Sequence, residues 1–367
     1  MMKYETNFIS QNKAPKNNDY IYVYNGTDLV GKIKTGSVKM PTLGKKLYSF
    51  GALADVHVTH SELAMSKFQK ALAYLNDVEK VKFTCIAGDL VSSGTVEQFE
   101  SYRTAVASYS PKIPVYECMG NHDVENTSVA PFLTKESTQS YIGKDLYYSF
   151  TQGNDVFIMF SMSGWVGKTG ETFTVESLQW LYEILEANRN KRVFVFEHCP
   201  SMVVENSVVV EKKSNSSKSF DVSTSGAVVG WAAPTGNLLN QGTTGGVFRS
   251  LMAHYKNVVW IHGHSHMEFQ YQANCSHLNY DRNFGCHSIH IPSLAEGREL
   301  NAEGTGYIFT TPESSGYVVD VYESHIVLRG RDFVADKFVP IATYCLDTTL
   351  QTIEANTFTD DTGVITV

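Results

Sequence analysis

Five short apolar runs, each followed at once by polar residues that can bind metal, constrain this chain more than any other feature. The runs are rich in β-branched and aromatic residues, which is typical of buried strands. In open α/β sheets, ligands bind outside the carboxyl ends of the strands, so we expect the five ends to converge on one site. The runs and the residues that follow them are Gly51–Ala54 with Asp55-Val-His57, Val81–Ala87 with Gly88-Asp89, Val115–Met119 with Gly120-Asn-His-Asp123, Val193–Glu197 with His198, and Val258–His262 with Gly263-His-Ser-His266.

The segments between the first three runs predict helices. Apolar residues from Ser61 to Asn76 have helical spacing, and Ser61 is a suitable N-cap. The pattern Thr95-x-x-Gln98 is a capping box in front of a helix from about Val96 to Tyr109. This order of strand, helix, strand, helix and strand predicts a largely parallel sheet covered by helices. The stretch Val124–Gly143 is predicted to be a loop.

The second half of the chain continues the alternation. We expect a hairpin of Leu146–Phe150 with Val156–Phe160, a helix from Thr174 to about Asn188, and another from about Val247 to Tyr255. The intervening Ser201–Gly246 is rich in Ser, Thr, Val and Gly, which indicates an insertion or lid. Late strands are predicted around residues 289–292, 317–321 and 326–328.

Three parts follow from this pattern. Residues 1–46 are predicted to be a small β-rich appendage, because the alternating run Tyr20–Tyr24 indicates a strand and Asn25-Gly26 after it indicates a turn. We expect residues 47–332 to form the main domain, and residues 333–367 to form a β-rich, peripheral tail.

Composition limits the classes of function. Hydrophobic residues at 43% and charged residues at 19% are ordinary for a soluble globular protein. The net charge of −8 disfavours nucleic acid as the default partner, since phosphate backbones attract Lys and Arg. No apolar run is long enough for a transmembrane helix, and the start lacks the apolar core of a signal peptide. Because the six cysteines show no CxxC pairing, we predict a reduced, cytoplasmic setting.

The residue types at the strand ends indicate metal chemistry. Asp55 and His57 are two positions apart and therefore point the same way on an extended strand end. The carboxylate of Asp89 at the next strand end can bridge two cations. Asn121 offers a carbonyl oxygen, and nitrogens come from His198, His264 and His266. Mixed nitrogen and oxygen ligands without thiolate suit Mn, Fe, Zn, Co or Ni better than Ca.

We therefore predict a pair of divalent metal ions, with Mn, Fe or Zn foremost. Ions about 3.5–4 Å apart would clamp a phosphoryl group and lower the pKa of a bridging water, giving a hydroxide that attacks phosphorus. His122 directly follows a ligand and is placed to protonate the leaving oxygen or stabilise the transition state. Asp123 could orient His122.

Each residue taken singly has a plainer interpretation, since an Asp after a strand is more often a turn or capping residue. The joint order of five strand ends favours the site. Outside the set, His60 could line the site, but a role at the start of a helix is favoured, and His262 is interpreted as structural. Tyr147 and Tyr148 are interpreted more as core and surface residues than as stacking partners of a substrate base. Arg298 and Arg331 are candidate phosphate contacts.

The ordered motifs from Leu47 to Arg331 resemble those of the calcineurin-like metallophosphoesterase superfamily. The resemblance implies a four-layer αββα sandwich of two mixed β-sheets flanked by helices, a dinuclear metal centre and hydrolysis of a phosphate ester. It also implies His122 as the catalytic histidine. Carried over by position, one metal would take Asp55, His57, Asp89 and His266, and the other Asp89, Asn121, His198 and His264.

One departure separates the chain from a branch of that superfamily. Purple acid phosphatases have a ferric-binding tyrosine three residues after the bridging aspartate, where this chain has Ser92. The site therefore resembles those of the phosphodiesterase-type branches. We predict a phosphoesterase that acts on a small phosphate ester and prefers diesters to monoesters. The alternatives are a metal-bearing binding or scaffold protein without turnover, a surface or structural protein that works through its β-rich ends, and a nuclease, which the negative charge disfavours.

Overall fold

The computed structural model describes residues 20–25, 28–34, 43–109, 113–124, 135–166, 170–199, 244–269, 280–281, 286–300, 307–310 and 313–349. Its helices are α1 (Glu62–Ala73), α2 (Val96–Ala107), α3 (Asn121–Val124), α4 (Lys135–Ile142), α5 (Val175–Ala187) and α6 (Thr244–His254). A π-helical turn, Tyr74–Val78, continues α1.

Eighteen strands lie in the described residues, nine of them before residue 173 and nine after it. The first nine are β1 (Tyr20–Asn25), β2 (Asp28–Lys34), β3 (Lys46–Leu53), β4 (Thr84–Ala87), β5 (Val115–Cys118), β6 (Tyr147–Gln152), β7 (Asp155–Phe160), β8 (Gly164–Val166) and β9 (Gly170–Thr172). The others are β10 (Val193–Phe196), β11 (Val258–His262), β12 (Tyr280–Asp281), β13 (His287–His290), β14 (Gly297–Leu300), β15 (Tyr307–Thr310), β16 (Ser315–Tyr322), β17 (His325–Asp332) and β18 (Lys337–Asp347).

Two six-stranded mixed sheets carry the fold. In the first, the order is β18-β17-β16-β3-β4-β5, with β3, β4 and β5 parallel and β16 antiparallel to β3. In the second, the order is β12-β13-β11-β10-β7-β6, with β7, β10, β11 and β13 parallel. The predicted strand–helix alternation thus supplies the parallel centre of each sheet, and hairpins add antiparallel edges.

Aromatic side chains fill the space between the two sheets. The ring of Phe50 on β3 lies 5.3 Å from the rings of both Phe157 on β7 and Phe194 on β10. Phe83, which precedes β4, also packs against Phe157, at 5.0 Å. Neighbouring strand residues point to opposite faces, so these contacts define the inner face of each sheet.

Helices cover both outer faces. Gly51 follows Phe50 and faces the other way, where the Leu75 side chain of the turn after α1 packs against it. On the second sheet, Phe248 of α6 packs against Trp260, and Trp260 pairs with Val195 rather than with the inward Phe194. The molecule is therefore a helix–sheet–sheet–helix sandwich, as the resemblance implied.

The predicted helix starts are confirmed by their caps. The hydroxyl of Ser61 accepts from Ala64 N at 3.1 Å, that of Thr95 from Gln98 N at 3.3 Å, and that of Thr174 from Ser177 N at 3.0 Å. In the capping box, the Gln98 side chain reaches Ser93 N at 2.8 Å rather than the N–H of Thr95.

The prediction of a loop over Val124–Gly143 is wrong in its second half. Helix α4 occupies Lys135–Ile142, and its Tyr141 ring stacks on Phe99 of α2 with centroids 4.8 Å apart. Residues 125–134 lie outside the described part. The predicted insertion also lies outside it, up to residue 243.

The first two strands form a hairpin of their own, whereas the last strand joins a large sheet. Strands β1 and β2 pair antiparallel, as the hairpin signal predicted. Strand β18 pairs with β17 and forms an edge of the first sheet. The division of the chain at residues 46 and 332 stays a prediction. Across the described residues, the helices are too short or too polar to cross a bilayer.

Candidate metal centre

All seven predicted metal ligands follow strands β3, β4, β5, β10 and β11, at their carboxyl ends. Backbone hydrogen bonds join the segments that carry them: Asp55 N donates to Gly88 O at 3.1 Å, and His57 N to Asp89 O at 3.0 Å. Within the second sheet, Gly263 N donates to His198 O at 2.9 Å. Between the two sheets, His264 N donates to the Asp55 carboxylate at 2.9 Å. The edges of both sheets are thereby tied into one site.

A first group of ligating atoms comes from Asp55, His57, Asp89 and His266, all within 4.8 Å of one another. His266 Nε2 lies 3.0 Å from Asp55 Oδ1 and 3.2 Å from His57 Nε2. His57 Nε2 lies 3.6 Å from Asp89 Oδ2. All four residues are buried.

A second group comes from Asp89, His198 and His264, again within 4.8 Å. His198 Nε2 lies 3.2 Å from Asp89 Oδ2. The amide oxygen of Asn121 adds a further donor atom, 3.1 Å from His198 Nε2 and 2.9 Å from His264 Nδ1. Asp89 belongs to both groups and lies between them.

Five of these residues have a backbone conformation that residues other than glycine rarely adopt. Their φ angles are positive: Asp55 at 52°, His57 at 42°, Asp89 at 51°, His264 at 74° and His266 at 60°. Each such residue costs of order 1–3 kcal/mol and persists only where its surroundings enforce it. Strain of this kind clusters at functional sites, and here it turns five side chains inward.

Two motif glycines allow close packing around the acidic residues. A Cβ at Gly120 would lie 2.3 Å from Asp89 Oδ1, and one at Gly263 would lie 2.4 Å from Asp55 Oδ2. Any side chain at these positions would displace a carboxylate. The glycines of the Gly-Asn-His-Asp and Gly-His-Ser-His motifs are therefore required by the shape of the site.

Backbone carbonyls orient two of the imidazole rings. His198 Nδ1 lies 2.8 Å from Ala87 O, and His266 Nδ1 lies 3.1 Å from Glu296 O. A carbonyl oxygen only accepts, so each Nδ1 carries a proton and each Nε2 faces the site. This is the usual way in which an outer hydrogen bond fixes a metal-ligating histidine.

Burial and charge set the protonation of the ligands. Burial lowers the pKa of His57 to about 3 and holds those of His264 and His266 well below their ordinary value, so these rings are neutral near pH 7. Burial would also lower the pKa of His198, but the adjacent Asp89 raises it to about 10. Burial opposes ionisation of Asp89, yet His198 and His122 hold its pKa well below the usual range.

This donor set fits divalent cations. Two buried carboxyl groups, four imidazoles and an amide oxygen converge, and the Nε2 atoms of His57 and His266 lie 3.2 Å apart. Carboxylate oxygens and imidazole nitrogens brought together in this way are the donor atoms that bind a cation. Nitrogen and oxygen donors of this kind bind several first-row divalent metals.

The two predicted catalytic residues lie beside these groups. His122 Nδ1 lies 3.0 Å from Ser92 O, and its ring packs edge-on against His57 with centroids 4.8 Å apart. The Asp123 carboxylate accepts backbone N–H groups of Gly120, Leu90 and Val91 at 2.8, 3.2 and 3.0 Å. Burial raises the pKa of Asp123 to about 7. These bonds hold together the segments that carry Asp89 and Asn121, whereas the role of Asp123 in orienting His122 stays a prediction.

Most residues interpreted as structural have structural contacts. His262 Nε2 lies 2.9 Å from Ser288 Oγ, and the half-exposed His60 lies 3.3 Å from the Glu296 carboxylate. The Tyr148 hydroxyl donates to Glu117 O at 3.0 Å, and Tyr147 packs against Trp180. Arg331, a candidate phosphate contact, instead packs over Tyr74 and pairs with Asp336.

Arg298 lies next to the site. Its backbone N donates to His266 O at 2.8 Å, and its guanidinium is the second cause, after burial, of the low pKa of His266. It also lies over the ring of Phe309, 5.7 Å from the centroid. Arg298 therefore remains a candidate phosphate contact.

Sequence reasoning missed the backbone groups that support the site. The carbonyl of Ser92 faces His122, and that of Glu296 faces His266. Backbone carbonyls leave no side-chain signal in a sequence. The hydroxyl of Ser293 also donates to Asp55 O, but a lone serine forms no motif. Ser265, between two ligands, has its hydroxyl 2.7 Å from Nε2 of the buried His290, to which the sequence analysis assigned no role.

Comparison with known proteins gives one family. The model of the calcineurin-like phosphoesterase family matches residues 48–268, more than half of the chain. No curated protein matches. Solved structures similar to this chain include a predicted phosphoesterase from Streptococcus pneumoniae TIGR4 (9% identity, 82% of this chain and 97% of that chain, TM-score 0.34). GAP50, the anchor in the inner membrane complex of Plasmodium, has 11% identity over 84% of this chain and 91% of its own, with a TM-score of 0.44. Vacuolar Protein Sorting 29 from Cryptosporidium parvum has 10% identity over 83% of this chain and 98% of its own, with a TM-score of 0.35. TM-scores this low do not support a conclusion about activity.

Proposed function

Because the chain belongs to the calcineurin-like phosphoesterase family, we propose that it hydrolyses phosphate esters with a pair of divalent metal ions. The observation that carries the proposal is the pair of buried ligand groups that share Asp89. In this proposal Asp55, His57, Asp89 and His266 hold one ion, and Asp89, Asn121, His198 and His264 hold the other. Bound there, the ions would supply neutralisation of phosphoryl charge and a water of lowered pKa.

The chain's own contribution is to fix the ligands and to move a proton. Backbone carbonyls hold His198 and His266, so little rearrangement is needed for binding. The buried setting also strengthens charge interactions, because few waters compete there.

His122 is the proposed proton donor. Its Nδ1 faces the carbonyl of Ser92, which accepts a hydrogen bond and so leaves Nε2 as the atom available to a substrate. The half-buried ring is less enclosed than the ligands and stands against His57. In its imidazolium form, the ring would give the Nε2 proton to the leaving oxygen, assist departure of the alcohol and return to the neutral form with its proton on Nδ1.

We propose a small phosphate ester as substrate, with diesters preferred to monoesters, and a cytoplasmic setting. The net charge of −8 disfavours a nucleic acid substrate. In support of a reducing compartment, the five described cysteines form no disulfide with one another.

The test is hydrolysis of bis-p-nitrophenyl phosphate and of p-nitrophenyl phosphate by metal-stripped protein. Mn, Zn, Fe(II), Co and Mg are added back singly, and His122→Ala is the matched variant. We expect metal-dependent turnover that falls about 10²- to 10⁴-fold in the variant, the usual range for a lost acid catalyst, while its metal content stays near wild type.

Two results would oppose the proposal. Turnover without metal would remove the ions from the reaction. No turnover with any metal, in protein that binds two equivalents, would favour a binding protein instead. The ratio of diester to monoester rates tests the substrate preference separately.

A further inference from the structure

One short segment touches metal ligands from both sheets. Ser293–Glu296, here called the bracing segment, follows β13 and lies against the end of β3. Leu294 N donates to Ala54 O at 3.0 Å, and Ala295 N donates to Asp55 O at 3.1 Å. The hydroxyl of Ser293 also donates to Asp55 O, at 3.1 Å. Two donors thus fix the carbonyl of Asp55, whose φ of 52° needs such support.

The same segment orients a ligand of the second sheet. Glu296 O lies 3.1 Å from His266 Nδ1, and Glu296 N donates to Ser293 Oγ at 2.9 Å. The hydroxyl that holds Asp55 therefore also holds the residue that orients His266. Asp55 and His266 belong to the same group of ligating atoms, here called the first subsite, which also includes His57 and Asp89.

A buried lysine holds the bracing segment in place. Lys67 of α1 donates from Nζ to Ala295 O at 2.6 Å and to Glu313 O at 2.6 Å, and the residue is only 2% exposed. Lysine is almost never buried so completely unless its charge has partners. Ser314 adds a second tether, since its hydroxyl donates to Leu294 O at 2.7 Å.

The second subsite, made of Asp89, Asn121, His198 and His264, is held by other contacts. Ala87 O orients the ring of His198 through its Nδ1 atom, and His264 Nδ1 lies 2.9 Å from Asn121 Oδ1. Within the described residues, the contacts of the bracing segment with ligands go to Asp55 and His266. The two subsites are therefore oriented by different outer contacts, although they share Asp89. They also touch each other, because the Asp55 carboxylate accepts from His264 N and lies 3.9 Å from His198 Nε2.

We propose that Lys67 is a positioning residue that, through the bracing segment, sets the geometry of the first metal subsite and not of the second. The inference rests on the proposed dinuclear centre and adds a residue outside the family's motifs. Loss of an outer-shell partner costs about 10- to 100-fold in metal affinity, so Lys67→Met should weaken one of two equivalents by that factor.

The experiment is calorimetric titration of metal-stripped full-length protein with Mn²⁺. Lys70→Met is the matched control, because Lys70 lies on the same helix and donates to Val334 O at 2.9 Å but is exposed. We expect wild type and Lys70→Met to bind two equivalents alike. Lys67→Met should keep one equivalent at wild-type affinity, and adding His57→Ala should leave that remaining equivalent unchanged.

The outcomes separate this inference from the proposed function. Fewer than two equivalents in wild type would overturn the dinuclear centre and this inference with it. Two equivalents in wild type, with both kept or both equally weakened in Lys67→Met, would overturn only the role of Lys67. If Lys67→Met shows no cooperative thermal transition, Ser314→Ala carries the same test, since it loosens the bracing segment without removing a buried charge.

Discussion

A single methyl group at Gly120 should abolish metal binding through Asp89. The substitution Gly120→Ala would place Cβ 2.3 Å from Asp89 Oδ1, 2.5 Å from Asp89 N and 2.8 Å from His198 Cδ2. Ordinary carbon contacts need about 3.5 Å, so the carboxylate must move by roughly 1 Å. The clash involves backbone as well as side chain, which makes a simple rotation of Asp89 insufficient.

That displacement exceeds what a metal site tolerates. Ligand distances normally lie within about 0.2 Å of their ideal values, so a shift of this size removes Asp89 from both proposed ions. We expect loss of both equivalents, and a fall of about 1–3 kcal/mol in the free energy of unfolding from overpacking. The assays are metal content after dialysis and urea unfolding of the metal-free protein.

Gly143→Ala supplies the control for stability. Gly143 has φ of 71°, and a Cβ there meets no atom within 4 Å. The left-handed backbone should cost alanine about 1–2 kcal/mol, comparable to the loss at Gly120, with both metal equivalents kept. If Gly120→Ala retains two equivalents at wild-type affinity, the proposed bridging by Asp89 is wrong.

Three further predictions concern other charged groups. Asp89→Asn should lose both ions in a metal assay, because the residue belongs to both ligand groups; retention of two full equivalents would refute the bridge. Arg192→Met should lower the free energy of unfolding by about 3–5 kcal/mol in urea melts, since it leaves the buried Asp155 carboxylate with the Tyr48 hydroxyl but without its cationic partner at 2.7 Å. Metal content should stay unchanged, because the metal ligands lie at the far end of the strands. Glu117 is buried, and burial raises its pKa from 4.5 to about 8, so the unfolded chain loses this proton at lower pH than the folded protein. Its contribution to stability is therefore complete below pH 4.5 and is lost as pH rises through 8, by about 5 kcal/mol at most. Glu117→Gln should match wild type near pH 4.5 and exceed it at pH 8 in metal-free protein; equal pH dependence of the two would contradict the shift.

The position of the candidate site could be predicted because it follows from strand ends. Parallel strands bring their carboxyl ends to one edge, so Asp55, Asp89 and Asn121 converge whatever the details of the loops. The cap residues Ser61, Thr95 and Thr174 likewise act on neighbours within three positions, and such local signals are legible in sequence.

Long-range packing could not be predicted in the same way. Helix α4 is short and polar, and it packs through Tyr141 on Phe99, a partner about forty positions away that no local pattern shows. The pairing of β16 with β3 joins segments more than 260 positions apart. Ser92 O and Glu296 O support the site through backbone groups that any residue type offers, and Lys67 reaches carbonyls more than 220 positions away along the chain.

The most direct test of the central claim is an anomalous-scattering map from crystals of the Mn-loaded protein. We expect two peaks about 3.5–4 Å apart with Asp89 between them. One should be bound by Asp55, His57 and His266, and the other by Asn121, His198 and His264. A single peak, or two peaks that do not share Asp89, would contradict the dinuclear centre proposed for this chain.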